Sequence, residues 1–284
     1  MPALMFPQIK QHAAELVQGL TGSPEGIAQL AGRAGNLLPP LLRLVAGEPA
    51  ASRAALTCLV NLAQEPAVQQ ALLEARTVGR CIDYINEKSC AHPDLLVMLL
   101  ANLTAAEEGA AALLQLGQGP LEGLWVAMLL RLFLDPPPAA PASGGAACIG
   151  SIGCGGSSLA EDPYEHVATI LPNVTRFQAG RCLMLQEGRG LLQALASQLR
   201  AASERRRRGC AGAIKNCCFS AEEDGTLEHI VGETEVGLGL GCVGLALGCM
   251  QPRQLESWAA GVNCRLAKLA QGRCRTAHAV LTPS

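Results

Sequence analysis

The sequence predicts an all-α fold built from stacked helical repeats, and three observations lead to this prediction. In residues 56–66, apolar side chains recur at helical spacing, with Asn61 beside the apolar stripe. The same pattern returns around Asn102 and Asn173 and, more weakly, around Asn216. Hydrophobic residues make up 49% of the chain but aromatic residues only 3%, which is typical of solenoids that pack small aliphatic side chains between repeats.

The spacing of these asparagines gives the length of the repeat. Asn102 follows Asn61 by 41 residues, and Asn216 follows Asn173 by 43. The middle gap is 71 residues, and it falls to 45 when residues 135–160 are left out. A helical period of about 40 to 47 residues predicts a right-handed solenoid of the armadillo or HEAT type.

Turn residues divide the chain into helices, beginning with an earlier copy of the repeat. Residues 19–24 align with residues 61–66 at an offset of 42, with glycine in place of asparagine, so five units are predicted. Proline at or near a helix start marks several of the boundaries. The predicted helices are residues 7–20, 25–30, 36–45, 50–64, 67–74, 79–86, 94–104, 105–116, 119–134, 181–187, 190–202 and 205–219, with one more ending near Asn173.

Two of these helices contain strongly apolar stretches. Residues 95–100 are apolar on every side, which predicts a helix buried in the middle of the stack. Residues 119–134 are similar, but Arg131 and Asp135 interrupt them well short of the roughly 20 residues that a membrane-spanning helix needs. We therefore expect core helices and no membrane partner.

The helix that reaches Asn173 has clear start signals. Asp162 is suited to the N-cap, Pro163 to the first helical position, and Glu165 to completing a capping box. Pro172 should kink this helix or remove one of its backbone hydrogen bonds.

Composition divides the chain into four parts. Residues 1–134 and residues 161–231 carry the armadillo-like repeats. Residues 135–160, with three consecutive prolines among Gly, Ser and Ala, predict a disordered insertion. Residues 232–284 form a divergent glycine-rich tail, which we predict to be poorly ordered.

The thirteen cysteines indicate a reducing compartment. Their number is odd and no Cys-x-x-Cys pair is present, so free buried thiols are favoured over disulfides or a zinc site. Residues 1–10 lack the pattern of a secretory signal, and we expect a cytoplasmic location. The Asn-x-Thr sequences at Asn102 and Asn173 lie inside predicted helices and are interpreted as chance matches to the glycosylation sequence.

An enzymatic role is not predicted. His166 and Cys182 are close only in sequence, and no glycine-rich phosphate loop follows a strand pattern. We therefore expect no catalytic residues, no metal, no cofactor and no small-molecule substrate.

The four asparagines are the first candidate partner-binding residues. If their helices stack in parallel, Asn61, Asn102, Asn173 and Asn216 line one concave face and offer side-chain amides to an extended partner. Alternatively, each amide ties neighbouring helices together and contacts no partner. We favour this structural role at Asn173, beside the proline.

A basic cluster at the start of the last predicted helix is the second candidate. Arg205, Arg206, Arg207 and Arg208, together with Lys215, could pair with an acidic segment of a client, because arginine grips carboxylates through paired hydrogen bonds. The alternatives are a solvated helix start and RNA binding. RNA binding is disfavoured because Phe219 is the only aromatic residue nearby.

Several motifs of the C-terminal half occur in a fixed order. They are Asp-Pro-Tyr-Glu-His-Val at 162–167, Ile-Leu-Pro-Asn at 170–173, Gly-Arg at 180–181, Gly-Arg-Gly-Leu-Leu at 188–192, Arg-Arg-Gly at 207–209 and Gly-Ala-Ile-Lys-Asn-Cys-Cys-Phe at 212–219. Over roughly residues 16–230, the chain resembles the Hgh family of armadillo-type proteins.

That resemblance implies a function. It implies a cytosolic co-chaperone, not an enzyme, that binds translation elongation factor two and helps the cytosolic chaperonin to fold it. The chain departs from the family at Lys215, where arginine is common, and after Ile230, where a leucine- and proline-rich repeat is expected. A general armadillo adaptor for nuclear transport or signalling is the alternative, and an RNA-binding helical repeat is a further one.

Overall fold

The computed structural model describes residues 5–135, 162–186, 188–221 and 223–226. Within these ranges the regular structure is entirely helical, with two 3-10 turns at Gly119–Leu121 and Gln198–Arg200. The predicted all-α class is confirmed. The helices are α1 (Met5–Leu20), α2 (Pro24–Ala31), α3 (Ala34–Leu44), α4 (Pro49–Leu62), α5 (Pro66–Glu74), α6 (Thr77–Glu87), α7 (Pro93–Leu103), α8 (Glu107–Leu114), α9 (Leu124–Leu134), α10 (Val167–Val174), α11 (Gln178–Met184), α12 (Leu191–Ser197) and α13 (Glu204–Phe219).

Every third helix belongs to one continuous row. Helices α1, α4, α7, α10 and α13 contact each other in that order, and we call them the ladder helices. After α1, each layer of the stack consists of two further helices followed by a ladder helix. The second helix of each layer, α3, α6, α9 or α12, packs against the ladder helix that follows it. The repeat inferred from the asparagine spacing is therefore the repeat of the fold.

The stack continues from α7 to α10, the two ladder helices on either side of the predicted insertion. Asn173 donates a hydrogen bond to Thr104 Oγ1 at 3.2 Å. Arg176 donates to the backbone oxygens of Thr104 at 3.4 Å and Ala105 at 3.2 Å. These bonds join the two parts of the repeat domain.

The two strongly apolar stretches are core helices, as predicted. In α7, Leu96, Val97, Leu99 and Leu100 are buried. The second stretch divides into a 3-10 turn and α9, where Val126, Leu129, Leu130 and Phe133 are buried. None of the described helices is long and apolar enough to cross a membrane.

A glycine allows the chain to turn sharply after three of the ladder helices. A Cβ atom added at Gly26, Gly109 or Gly180 would lie 1.9, 2.0 or 2.2 Å from the carbonyl oxygen of the last residue of the preceding ladder helix. No side chain fits at that distance, so only glycine permits this approach. The same turn after α4 has Val68 at the equivalent position, and this side chain is buried.

The predicted capping box before Asn173 is wrong. Asp162 does accept a hydrogen bond from the Tyr164 backbone nitrogen at 3.0 Å, but the residues that follow form turns, and α10 begins only at Val167. The Glu165 carboxylate is engaged by Ser203 and Arg205 at the start of α13. Tertiary contacts with α13 therefore replace the local cap.

Two predicted parts of the chain lie outside the described residues. They are the insertion at residues 135–160, apart from Asp135, and the glycine-rich tail at residues 232–284.

Candidate protein-binding face

The four asparagines occupy equivalent positions near the ends of the ladder helices, and each amide reaches the ladder helix of the layer before. Asn61 Nδ2 donates to Thr21 Oγ1 at 2.9 Å. Asn102 Nδ2 donates to the Val60 carbonyl oxygen at 2.8 Å. The amides at 173 and 216 make the corresponding bonds further along the stack, so the four side chains form one row, which we call the Asn row.

Three of the four amides, those at positions 102, 173 and 216, cap the end of the neighbouring ladder helix by donating to a backbone oxygen. The last carbonyl groups of a helix have no partner within the helix. In α4 the backbone nitrogen of Gln64 bonds to the Asn61 oxygen, which leaves the Val60 oxygen to accept from Asn102. Asn216 likewise reaches the Pro172 oxygen at 3.1 Å. The Asn row therefore satisfies helix ends across layers.

A threonine two residues after the asparagine position completes the arrangement. The hydroxyl groups of Thr21, Thr104 and Thr175 accept from the asparagines at 61, 173 and 216. Ala63 takes the threonine position in α4, and the next amide bonds to a backbone oxygen instead. This explains the Asn-x-Thr sequences, whose recurrence is the signal that sequence reasoning missed.

The hydrogen bonds between layers favour a structural role for the four asparagines, but their side-chain amide oxygens can still accept hydrogen bonds from a partner. All four side chains are half-buried, and none of their carbonyl oxygens accepts a hydrogen bond from the described residues. These oxygens can accept backbone N–H groups of an extended chain. Partner binding by the Asn row stays a prediction.

Two arginines of the basic cluster are used inside the fold. The Arg206 side chain is only 12% exposed and pairs with Asp162. Its guanidinium also donates to Gln198 Oε1 at 2.9 Å and to the Phe133 oxygen at 2.8 Å, and it lies 3.9 Å from the centre of the Phe133 ring. Arg207 donates to two carbonyl oxygens of the preceding turn, at 2.8 and 2.7 Å. None of the three interpretations of the basic cluster anticipated these internal roles.

The other two arginines are exposed and form weak pairs. Arg205 lies 3.3 Å from Glu165, and Arg208 lies 2.8 Å from Glu204, with the Arg208 side chain 76% exposed. Ion pairs at this level of exposure contribute only about 0–1 kcal/mol. Their cations remain available to a partner.

These two arginines and one asparagine share a groove between α10 and α13. The α10–α13 groove has a volume of about 680 Å³. Its lining is Glu165, Ala168, Thr169, Pro172, Asn173, Ser203, Glu204, Arg205, Arg208 and Gly209. The structure thus brings together Asn173, Arg205 and Arg208, whereas the other predicted residues lie outside this lining.

Two glycines of α13 allow it to approach α10 closely, and one of them, Gly209, lines the groove. A Cβ atom at Gly209 would lie 1.9 Å from the Ala168 oxygen, and one at Gly212 would lie 2.9 Å from the Pro172 ring. Because proline has no N–H, Pro172 cannot donate the helical hydrogen bond to the Ala168 oxygen. The bare backbone of α13 therefore packs directly against α10 at this point.

Lys215 lies apart from the groove. It is half-buried, and its Nζ atom lies 5.7 Å from the centre of the exposed Phe219 ring, one turn further along α13. The five cations of the predicted cluster therefore fall into three groups. Arg206 and Arg207 make contacts within the fold, Arg205 and Arg208 line the groove, and Lys215 lies over the Phe219 ring.

An internal ion pair fixes the turn that follows α13. Arg181 Nη2 donates to Asp224 at 2.9 Å while Nε contacts the same carboxylate, and both side chains are nearly buried. Arg181 also donates to the Thr175 and Arg176 oxygens at 3.2 and 2.7 Å. The hydrogen bonds that Arg181 donates to Asp224 raise the pKa of Arg181 above its usual value.

The described cysteines are free thiols, as predicted, but not all are buried: Cys182 is exposed, and Cys90 and Cys218 are half-buried. Cys58, Cys81, Cys210 and Cys217 are buried, and burial raises the pKa of each to about 12. Thiols with such values are not reactive nucleophiles at neutral pH. Within the described part of the chain, no group of three or more His, Cys, Asp or Glu side chains is placed to hold a metal ion.

Ladder helices, interlayer asparagines and three-helix layers define an armadillo-type repeat protein. Solved structures share this fold: a computationally designed armadillo repeat protein for modular peptide recognition is 20% identical, covers 83% of this chain and 90% of its own, and gives a TM-score of 0.53. The designed armadillo repeat protein YIII(Dq.V1)4CPAF in complex with peptide (KR)4 is 18% identical, with coverages of 85% and 91% and a TM-score of 0.52.

Sequence comparisons identify the family. The model described as "Domain of unknown function (DUF383)" matches residues 84–230. Relatives named "Protein HGH1 homolog" are 32% identical over 214 residues in Homo sapiens, covering 73% of this chain and 48% of the relative, and 28% identical over 215 residues in Xenopus tropicalis, covering 75% and 53%. The chain belongs to this HGH1 family, and it spans about half the length of the curated relatives it matches.

Proposed function

We propose that this chain is a non-enzymatic scaffold of the cytoplasm that holds a client protein on its ladder helices. The resemblance to Hgh proteins implies that the client is translation elongation factor two and that the cytosolic chaperonin folds it. Family membership supports this proposal through the shared repeats.

The proposal rests mainly on the composition of the α10–α13 groove. Its exposed arginines, Arg205 and Arg208, are held only by weak surface pairs. A client carboxylate can take the place of Glu204 beside Arg208 at little cost, because the pair it disrupts is solvated. Asn173 lines the same groove and can accept a backbone N–H of the client. The groove therefore suits an extended acidic segment.

The charge of α13 favours this client over a basic peptide. Of its five cations, Arg205 and Arg208 line the groove, and the pairs that they form there with Glu165 and Glu204 are exposed to solvent. A basic peptide, such as the (KR)4 ligand of the designed neighbour, would meet like charges here. A nuclear-transport adaptor that binds basic localisation peptides is therefore the less favoured alternative.

RNA is disfavoured for a different reason. Arginines attract phosphates, but recognition of single-stranded RNA also uses aromatic rings on which bases stack. In the part of the chain that the structure describes, no aromatic residue lines the α10–α13 groove.

A binding titration with purified elongation factor two tests the proposal. The double variant Arg205→Glu/Arg208→Glu should raise the Kd about tenfold or more, because it replaces two attractive contacts with repulsive ones. The matched control is Arg33→Glu/Arg131→Glu, which changes the net charge equally at exposed sites outside the groove. Equal affinities for the two double variants would contradict the groove assignment.

Capture of partners from cytosol separates the candidate functions. Recovery of elongation factor two together with chaperonin supports the proposal. Recovery of proteins through their basic localisation peptides would favour the adaptor, and material that ribonuclease removes would favour RNA binding.

A further inference from the structure

Helix α1 carries apolar side chains that no described residue covers. Ile9, Leu16 and Leu20 are 57%, 74% and 54% exposed. With the exposed Ala13 they lie on one side of the helix, because their spacing follows the helical repeat. A continuous exposed stripe of this kind marks a binding surface more often than scattered apolar residues do.

The repeat shows that this side of a ladder helix is normally buried. At the offset of 42 residues, the three exposed residues of α1 correspond to Ala51, Cys58 and Leu62 in α4. Those residues are 3%, 0% and 1% exposed. Cys58 Sγ donates to an α1 backbone oxygen, that of Ala14, at 3.7 Å, so α1 is one of the elements that cover this side of α4. Within the described residues, nothing covers the same side of α1.

A groove between α1 and α3 adjoins the exposed stripe. The α1–α3 groove has a volume of about 460 Å³, and most of its lining is aliphatic, including Ala13, Val17 and Leu41. Its charged residues are Lys10 and Arg43, both exposed, and none of the described acidic residues lines it. The surface is thus an apolar channel bordered by cations.

The repeat also indicates which shape fits against α1. Each of the other ladder helices packs against the second helix of its own layer, as α4 does against α3 and α7 against α6. Among the described residues α1 has no such companion. A helix of ordinary diameter, about 10–12 Å with its side chains, is what every later layer places at this position.

We propose that the α1–α3 groove is a docking site for an amphipathic α-helix of a partner protein, with acidic residues flanking its apolar stripe. The apolar side chains of the partner helix would lie in the apolar channel, and Lys10 and Arg43 would pair with the carboxylates that flank them. A second copy of this chain fits less well. In a two-fold dimer through this groove, the cations of one copy would face the same cations of the other.

This inference goes beyond the proposed function and does not depend on it. The α1–α3 groove and the α10–α13 groove share no residue. Failure of client binding at one groove therefore leaves the other groove testable.

A designed peptide provides the test. The probe is a synthetic helical peptide of about 20 residues with a leucine stripe flanked by glutamates, and the control peptide has lysines in place of the glutamates. We expect the glutamate peptide to bind the full chain, measured by fluorescence anisotropy. The variant Ala13→Glu should weaken this binding about tenfold or more, because it places a charged side chain in the apolar channel.

Two further variants make the result specific. Leu121→Glu introduces the same charge at an exposed leucine outside the groove and should leave peptide affinity unchanged. The double variant Lys10→Glu/Arg43→Glu should reverse the preference, so that the lysine peptide binds more tightly than the glutamate peptide. Thermal melting of each variant should match the parent, since all these positions are exposed.

Three results would overturn the proposal. The first is an absence of glutamate-peptide binding, and the second is binding of both peptides alike by every variant. The third is a stable dimer in light scattering that Leu16→Asp dissociates, because the occupant would then be a second copy of the chain.

Discussion

The two ends of the described stack use the same repeat to make different surfaces. At the α13 end, glycines bring two ladder helices into backbone contact, and the groove above them is lined by ion pairs. At the α1 end, the groove is aliphatic and bordered by two cations. The comparison teaches that the Asn row fixes the spacing of the layers, whereas the side chains around it set the surface chemistry.

The largest effect is expected at the buried ion pair of the α13 end. Arg181→Ala leaves the Asp224 carboxylate, whose side chain is 3% exposed, without its partner. Removing one member of a buried pair costs about 3–5 kcal/mol. Urea unfolding should show a loss of this size, and the exposed control Arg131→Ala should change stability by less than about 0.5 kcal/mol. A small loss for Arg181→Ala would show that the turn after α13 is not held by this pair.

Equivalent leucines at the α1 end and in the next layer should differ sharply. Leu62→Ala empties a fully buried position and is expected to cost about 2–5 kcal/mol. Leu20→Ala, at the matching position of α1, should cost less than about 1 kcal/mol because that side chain is exposed. Denaturation midpoints of the two variants make the comparison. Equal losses would mean that Leu20 is covered in solution, contrary to an open α1 side.

Substitutions at two arginines of the basic cluster should likewise differ in how much stability they cost. Arg206→Gln removes the ion pair with Asp162 and the contacts with Phe133, at an expected cost of about 2–4 kcal/mol. Arg208→Gln disrupts only an exposed pair and should cost less than about 0.5 kcal/mol. Parallel thermal melts distinguish them, and similar melting temperatures for the two variants would refute the division of the cluster.

Removing one amide of the Asn row should lower the unfolding free energy by a smaller amount, because the row runs through the whole stack and is not particular to either end. Asn102→Ala removes the donor to the Val60 oxygen and leaves that helix end unsatisfied. We expect a loss of about 1–2 kcal/mol. Asn36→Ala, at an exposed asparagine of α3, is the control. An unchanged unfolding free energy for Asn102→Ala, with weaker client binding, would instead support a role in partner contact.

The sequence predicted the repeat and its helices because helical periodicity and asparagine spacing are local or evenly repeated signals. It missed the partner of Arg206, because the Phe133 oxygen lies 73 residues away across the predicted insertion. It also missed the threonine acceptors and the turn glycines, although both recur at fixed distances from the asparagine position. The predicted capping box failed because α13 engages Glu165. Distant contacts, which leave no periodic trace, decided the cases of Arg206 and Glu165.

A crossed titration tests most directly whether the two ends carry separate binding sites. The affinity for elongation factor two is measured with and without a saturating concentration of the glutamate peptide. We predict the same Kd in both conditions, with Arg205→Glu/Arg208→Glu losing only the elongation factor and Ala13→Glu losing only the peptide. Competition between the two ligands, or loss of both ligands in either variant, would contradict two independent sites.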